Sequence, residues 1–244
     1  MGAGAGSGPR ARRRGVGALI AALTFDVGGT LVHMWDVPER QFADICRRVG
    51  VELPPAGARA AARAWRTHIR AQREVPAAAD WERADEAGLR AAGFRGDVAA
   101  AVARIEAAFP DLVPTWVLDP DVPAVLEALR ARGLPLGVVS NWDGSLQERL
   151  RAWGLSGHFA AVADSGVVGR AKPDPAIFAG VLGQLGVTAA ECLHVGDRPD
   201  TDVAGARAAG MRPVLYDPLD CGPAAGAPPR IRRLRDLLRL VDAG

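Results

Sequence analysis

Apolar and polar positions fall into blocks along the chain. The run 18–25 is aliphatic apart from Thr24 and Phe25, and it passes straight into Asp26-Val27-Gly28-Gly29-Thr30. A short apolar run that ends at a turn signal reads as a fully buried strand delivering a carboxylate into a loop. From 38 to 109 the period changes. Segments 39–49, 56–74, 80–92 and 97–109 repeat apolar residues three and four apart, which predicts four helices. Pro38, Pro54-Pro55, Pro76 and the glycines at 93 and 96 separate them, and Asp80 and Asp97 stand where N-caps belong. A proline-rich crossing follows at 110–123. Beyond it, strands are predicted at 136–140, 160–163, 192–195 and 213–216. Helices are predicted at 122–132, 144–153, 175–185, 201–209 and 231–241.

Strands that alternate with helices indicate a parallel sheet covered on both faces. The first strand precedes the helical segment and the others follow it. The pattern therefore predicts an α/β fold: a Rossmann-like parallel-sheet core, 16–36 and 116–244, with an inserted all-helical cap domain, 37–115. Residues 1–15, rich in Gly, Ala and Arg, are expected to form a disordered tail.

Composition narrows the function. The chain is 49% hydrophobic and 24% charged with a net charge of +2, so it lacks the global basic footprint of a nucleic-acid binder. Cys46, Cys192 and Cys221 show no Cys-x-x-Cys spacing, and an odd count argues against a disulfide framework. The basic cluster 10–14 and the apolar run after it have the outline of an export signal. That run leads into Asp26 and two glycines rather than a cleavage pattern, and it is too short to span a bilayer. The expectation is a cytoplasmic protein, monomer or homodimer, with no membrane or nucleic-acid partner.

The candidate chemistry lies at the ends of the apolar runs. Asp26 follows the first, Ser140-Asn141 ends the second, and Gly196-Asp197 follows a later one, with Asp200 and Asp202 beyond. In an open parallel sheet these ends form one ligand-binding edge. Clustered carboxylates suit Mg²⁺, a hard ion that takes oxygen ligands. A Ser-Asn pair opening towards a helix N-terminus suits an anion. Lys172, in the loop 169–175, is the only lysine among 30 basic residues. A compact ammonium neutralises a carboxylate and a phosphoryl oxygen where a wide guanidinium would not fit.

Four segments, 25–31, 139–141, 171–178 and 194–211, taken in order with a helical insertion after the first, resemble the haloacid dehalogenase (HAD) superfamily of hydrolases. The resemblance covers nearly everything after residue 15. It implies that Asp26 is a nucleophile forming an aspartyl-phosphate, that Ser140 and Asn141, with Gly29 and Thr30, hold the phosphoryl group, and that Lys172 orients Asp26. It also implies Mg²⁺ bound by Asp26, the carbonyl of Gly28 and Asp197, with Asp202 supporting Lys172 or the metal's water. The implied activity is hydrolysis of a small phosphorylated metabolite.

One position departs from that pattern. Family phosphatases carry a second Asp two residues after the nucleophile, where this chain has Gly28. The expectations are a slow phosphatase, a substrate with a good leaving group, or an acid from elsewhere, such as His33 or Asp143. A phosphonatase would need a cap lysine, and 36–115 contains none. A 2-haloacid dehalogenase would lack the Gly-Asp-x4-Asp pattern that runs here from Gly196 to Asp202. A non-catalytic domain that binds a phosphorylated ligand or protein is the third reading, favoured by Gly28 and opposed by Asp26, Lys172, Asp197 and Asp202. In the cap, Arg66 and Arg70 share a helix face with Trp65 and His68 nearby and Trp81 on the next helix. That face could meet an anionic or sugar-like leaving group; the competing reading puts the tryptophans in the cap core and the arginines in solvent. The arginines at 232, 233, 235 and 239 read as a solvated helix face.

Overall fold

The computed structural model describes residues 19–71, 78–108, 111, 115–221 and 228–243. The tail at 1–15, Pro76 and Pro110 lie outside them, as does the side chain of Arg70. Strand β1 (Ala22–Phe25) is entirely buried. Its residues alternate between two hydrophobic clusters, Leu23 and Phe25 in one and Ala22 in the other, as a two-residue period requires. The remaining core strands are β4 (Leu136–Ser140), β5 (Ala161–Asp164), β6 (Cys192–Gly196), β7 (Arg212–Tyr216) and β8 (Arg230–Ile231). They form one parallel sheet in the order β5-β4-β1-β6-β7-β8. The chain runs outward from β1 to β4 and β5 on one side and then to β6, β7 and β8 on the other. The order therefore reverses at β1, which places the ligand crevice of a parallel sheet beside Asp26. No helix of the described residues is long and apolar enough to cross a membrane.

Helices α5 (Val122–Ala131), α6 (Leu146–Ala152), α7 (Ser165–Val168), α8 (Ala176–Leu185), α9 (Ala204–Ala208) and α10 (Asp236–Ala243) accompany the sheet. The predicted helix 231–241 begins late. Ile231 pairs with Tyr216 as the last strand, because a buried isoleucine completes the sheet edge, and the helix starts only at Asp236. The predicted helix 201–209 is also interrupted. A wide π-helical turn, Pro199–Val203, precedes α9. Such turns recur at functional sites.

Between β2 (Val32–Met34) and β3 (Trp116–Leu118) lie α1 (Gln41–Arg48), α2 (Ala58–Ala71), α3 (Ala78–Ala91) and α4 (Val98–Ala108). They bury their own cluster, including Phe42, Ile45, Trp65, Leu89 and Ile105. Asp97 caps α4 by accepting from the Ala100 N–H at 3.1 Å. Helix α3 begins at Ala78, so Asp80 lies within its first turn; the Asp80 side chain lies outside those described. Strands β2 and β3 pair antiparallel, Val32 with Leu118 and Met34 with Trp116, so the two chain crossings into the helices are stitched together. At three residues each, they are too short to leave a period in the sequence.

The helical insertion carries a buried acid. Asp85 accepts from the Trp65 indole N–H at 2.9 Å and is pushed up to about 8 by burial and by a hydrogen bond with Glu106. A raised folded-state pKa means the folded chain holds a proton that the unfolded chain has lost above about pH 4. Stability should therefore fall as pH rises from about 4 to about 8 and level off above that. Urea unfolding of the wild type and Asp85→Asn at pH 5 and pH 8 tests this: the gap between the two pH values should shrink in the variant.

Candidate active site

Registration across three strands assembles the site. Phe25 lies level with Val138 on β4 and Val195 on β6, and the Asp26 N–H donates to the Val195 carbonyl at 2.8 Å. Asp26 is thereby fixed between the end of β4, at Ser140, and the end of β6, at Gly196-Asp197. The chain then turns tightly: Thr30, Leu31 and Val32 all donate back to the Val27 carbonyl. Gly29 makes that turn with φ +85, a conformation that disfavours any side chain; a Cβ there would also stand 2.8 Å from Asp197 Oδ2.

Asp26 Oδ1 accepts from the Ser140 hydroxyl at 2.9 Å and from Lys172 Nζ at 2.6 Å. Oδ2 accepts from the Thr30 hydroxyl at a long 3.5 Å. Lys172 Nζ also donates to Asp202 Oδ1 at 2.6 Å, and its side chain is 2% exposed. Both Asp202 oxygens are committed, since Oδ2 accepts from the Arg198 N–H at 2.9 Å. The π-helical turn and Gly196 make this possible: a Cβ on Gly196 would lie 2.3 Å from the Asp202 carboxyl carbon.

The electrostatics follow from burial. Burial pushes Asp26 up to about 7, Lys172 pulls it down, and Asp202 and Asp197 push it up again. Burial works against the Lys172 ammonium, but Asp202 and Asp26 outweigh it and hold its pKa above the ordinary value. Burial would likewise raise Asp202, yet Lys172 and His194 hold it well below the usual carboxylate range. Oxygens of Asp26, Asp197 and Asp202 lie within 4.8 Å of one another, a group able to hold a metal ion.

The sequence-derived residues therefore converge: Asp26, Ser140, Thr30, Lys172, Asp197 and Asp202 share one buried cluster, with Gly28 and Gly29 in the adjoining turn. The Asn141 side chain also has a structural task. Its amide donates to the Lys172 carbonyl at 3.0 Å and accepts from the Lys172 N–H at 2.7 Å, pinning the lysine loop. Neither substitute acid fits. His33 Nε2 is bonded to Asp119 at 3.0 Å and its ring stacks on Tyr216, so it anchors β2. Asp143 accepts from the Ser145 hydroxyl and N–H, which hold it below the usual carboxylate range and so charged at neutral pH.

Other residues emerge only in three dimensions. Arg66 is not solvated: it is buried, and it reaches from α2 to Asp197 Oδ2 at 2.5 Å and to the Gly29 carbonyl at 3.4 Å. Trp65 lies in the buried cluster of the inserted helices and Trp81 packs against it, while His68 is exposed. The Thr24 hydroxyl meets His194 Nδ1 at 2.9 Å, and His194 Nε2 lies 3.5 Å from Asp202, extending the polar chain under the site. A histidine inside the apolar run 192–195 was the available signal. Asp164 accepts from the N–H groups of Gly144, Leu146 and Gly166 and so shapes the loop after β4. Beyond Gly28 stand Trp142 and Trp116, 3.4 and 3.9 Å from where its Cβ would be.

A central-strand aspartate, a strand-end serine, a buried lysine and an acid pair after a later strand thus meet at one edge of the parallel sheet. Residues 20–210 match the haloacid dehalogenase-like hydrolase family, and the chain belongs to it. It is 45% identical over 103 residues to phosphoserine phosphatase of Thermus thermophilus, covering 42% of this chain and 41% of that protein. It is 37% identical over 137 residues to haloacid dehalogenase-like hydrolase domain-containing protein 3 of Mus musculus, covering 53% and 55%. The chain thus spans about half the length of these curated relatives. Solved structures are matched along almost their full length. A HAD phosphatase from Thermococcus onnurineus aligns with TM-score 0.55 and 25% identity, covering 90% of this chain and 97% of that one. A 2-haloacid dehalogenase from Pseudomonas syringae aligns with TM-score 0.55 and 28% identity, covering 92% and 99%.

Proposed function

We propose that the protein is a Mg²⁺-dependent phosphomonoesterase acting on a small phosphorylated metabolite. The observation that carries this reading is the buried cluster of Asp26, Asp197 and Asp202 around Lys172. The donors of the cluster are all oxygen, the set that a hard divalent cation takes. Asp26, Asp197 and the Gly28 carbonyl would hold the ion; Asp202 acts indirectly by anchoring Lys172. When bound, the ion supplies Lewis-acid charge that offsets the repulsion between carboxylate and phosphate.

The residues divide the remaining work. Ser140 and Lys172 orient Asp26 through Oδ1, leaving Oδ2 to form the bond to phosphorus as the ester oxygen departs with its electron pair. Water then cleaves the aspartyl-phosphate and releases phosphate. Lys172, with a third N–H beyond those on Asp26 and Asp202, and the Ser140 hydroxyl on turning from Asp26 stabilise charge on the phosphoryl oxygens. The phosphatases of Thermus thermophilus and Rhodospirillum rubrum named for phosphoserine and phosphoglycolate support a small metabolite as substrate. The protein is read as cytoplasmic.

The test is a phosphate-release screen over sugar phosphates, nucleotides and small phosphorylated acids, with Mg²⁺ and with EDTA, run beside a halide-release assay on 2-haloacids. Metal-dependent phosphate release is expected. The likeness to 2-haloacid dehalogenase structures and the absence of an acid at Gly28 favour a second reading, which halide release without metal would establish. Position 28 gives a further expectation. A Cβ there would lie 3.4 Å from Trp142, ordinary contact, and Gly28→Asp should fold. If the site lacks a proton donor, turnover of alkyl phosphates should rise by about 10²-fold, the lower range of general acid help. Unchanged kinetics would assign the proton to another group.

A further inference from the structure

We propose that Arg66 determines specificity: it rests on Asp197 until a divalent cation takes that carboxylate, and then pairs with a second anionic group on the substrate. The inference rests on the phosphomonoesterase reading of the site.

Arg66 and Asp197 have side chains 9% and 8% exposed, and they meet at 2.5 Å. Arg66 belongs to α2, between the two crossings of the β2–β3 ribbon, whereas Asp197 follows β6 in the sheet. The ion pair is therefore a direct bond from the inserted helices to the catalytic edge. Its second contact, the Gly29 carbonyl, lies in the turn beside Gly28, so the guanidinium sits against the group of oxygens that can hold a metal.

Two cations cannot share this position cheaply. Asp26, Asp197 and Asp202 present oxygens within 4.8 Å of one another, so an ion held among them comes close to the guanidinium on Asp197 Oδ2. In a buried site such repulsion is only weakly screened. The guanidinium must then loosen from Asp197. A buried charge without its partner is costly, and an arginine presents a planar fork suited to carboxylate or phosphate. The anion that arrives with the chemistry is the substrate. Its reacting phosphoryl group belongs to Ser140 and Lys172, which both contact Asp26 Oδ1. A second carboxylate or phosphate on the leaving group would satisfy Arg66 and keep α2 held over the site. A neutral leaving group would leave Arg66 unpaired.

The experiment uses the full chain as wild type, Arg66→Gln and Arg66→Lys, each checked for fold by circular dichroism. Mn²⁺ is titrated without substrate and the free ion followed by electron paramagnetic resonance. Losing a competing cation should tighten Mn²⁺ binding about tenfold in Arg66→Gln. Unchanged or weaker binding would overturn the competition. In the second arm, kcat and KM are measured for 2-hydroxyethyl phosphate, phosphoglycolate and ethane-1,2-diyl bisphosphate. The wild type should prefer an anionic ester over the neutral one by about 30-fold in kcat/KM, mostly through KM, as buried charge pairs are worth. That ratio should collapse in Arg66→Gln and return in part in Arg66→Lys, which restores the charge without the fork. The preferred anionic ester identifies the second group as carboxylate or phosphate. Equal kcat/KM for all three esters in the wild type, or a ratio that survives in Arg66→Gln, would overturn the specificity role. Phosphate release from none of them, nor from p-nitrophenyl phosphate, would instead remove the phosphatase reading, and the Mn²⁺ titration would then decide the competition alone.

Discussion

Replacing Lys172 with Met will both inactivate the protein and destabilise it by about 3–5 kcal/mol, the cost of stranding buried charges whose partner has gone. Lys172 is the ammonium between Asp26 and Asp202, 2.6 Å from each, with a side chain 2% exposed. Without it, two carboxylates face each other with Asp197 beside them. Urea unfolding at pH 7 measures the loss directly. The difference between wild type and variant should narrow as pH falls below about 4. Asp202 is held below the usual carboxylate range, so its stabilisation is present above its unfolded pKa and fades as pH falls through that region towards the folded value. Lys172→Arg should not rescue activity, because a guanidinium does not fit a site packed around a point charge. A Lys172→Met protein as stable as the wild type would refute the buried-triad account.

Asp26→Asn should lower phosphate release by at least about 10⁴-fold, the scale on which removal of a covalent nucleophile is felt. The substitution keeps the shape of the side chain and an acceptor for Ser140 and Lys172, so the fold should persist and the loss should fall on chemistry. Acid-quenched enzyme incubated with radiolabelled substrate should retain a labelled phosphoenzyme in the wild type and none in the variant. Label that persists in Asp26→Asn would move the nucleophile elsewhere. Intact Mg²⁺-dependent binding of a phosphorylated compound, with no release even in the wild type, would favour the non-catalytic reading.

Most of the site was legible because its parts sit at strand ends. Asp26, Ser140 and Asp197 each terminate or follow a buried apolar run, and a parallel sheet gathers such ends on one edge whatever the intervening sequence. Lys172 stood out by composition, as the lone lysine of the chain. Arg66 did not, because it is one arginine among many on an amphipathic helix, and only packing shows that it points inward. The wide turn at Pro199–Val203 overlaps the predicted helix 201–209 only at 201–203, and its hydrogen bonds serve Asp202. The β2–β3 ribbon was missed for lack of length.

The sequence by itself determined the fold class and the identity of the acidic and basic groups that meet at β1, because burial periodicity and strand-end chemistry are local properties. The tertiary structure decided how those groups are used. It turned the side chain of Asn141 towards the lysine loop, tied His33 to Asp119, set two tryptophans beside Gly28 and brought Arg66 onto Asp197. Each of these depends on contacts between residues far apart in the chain, and such contacts carry no period or spacing that a linear reading detects.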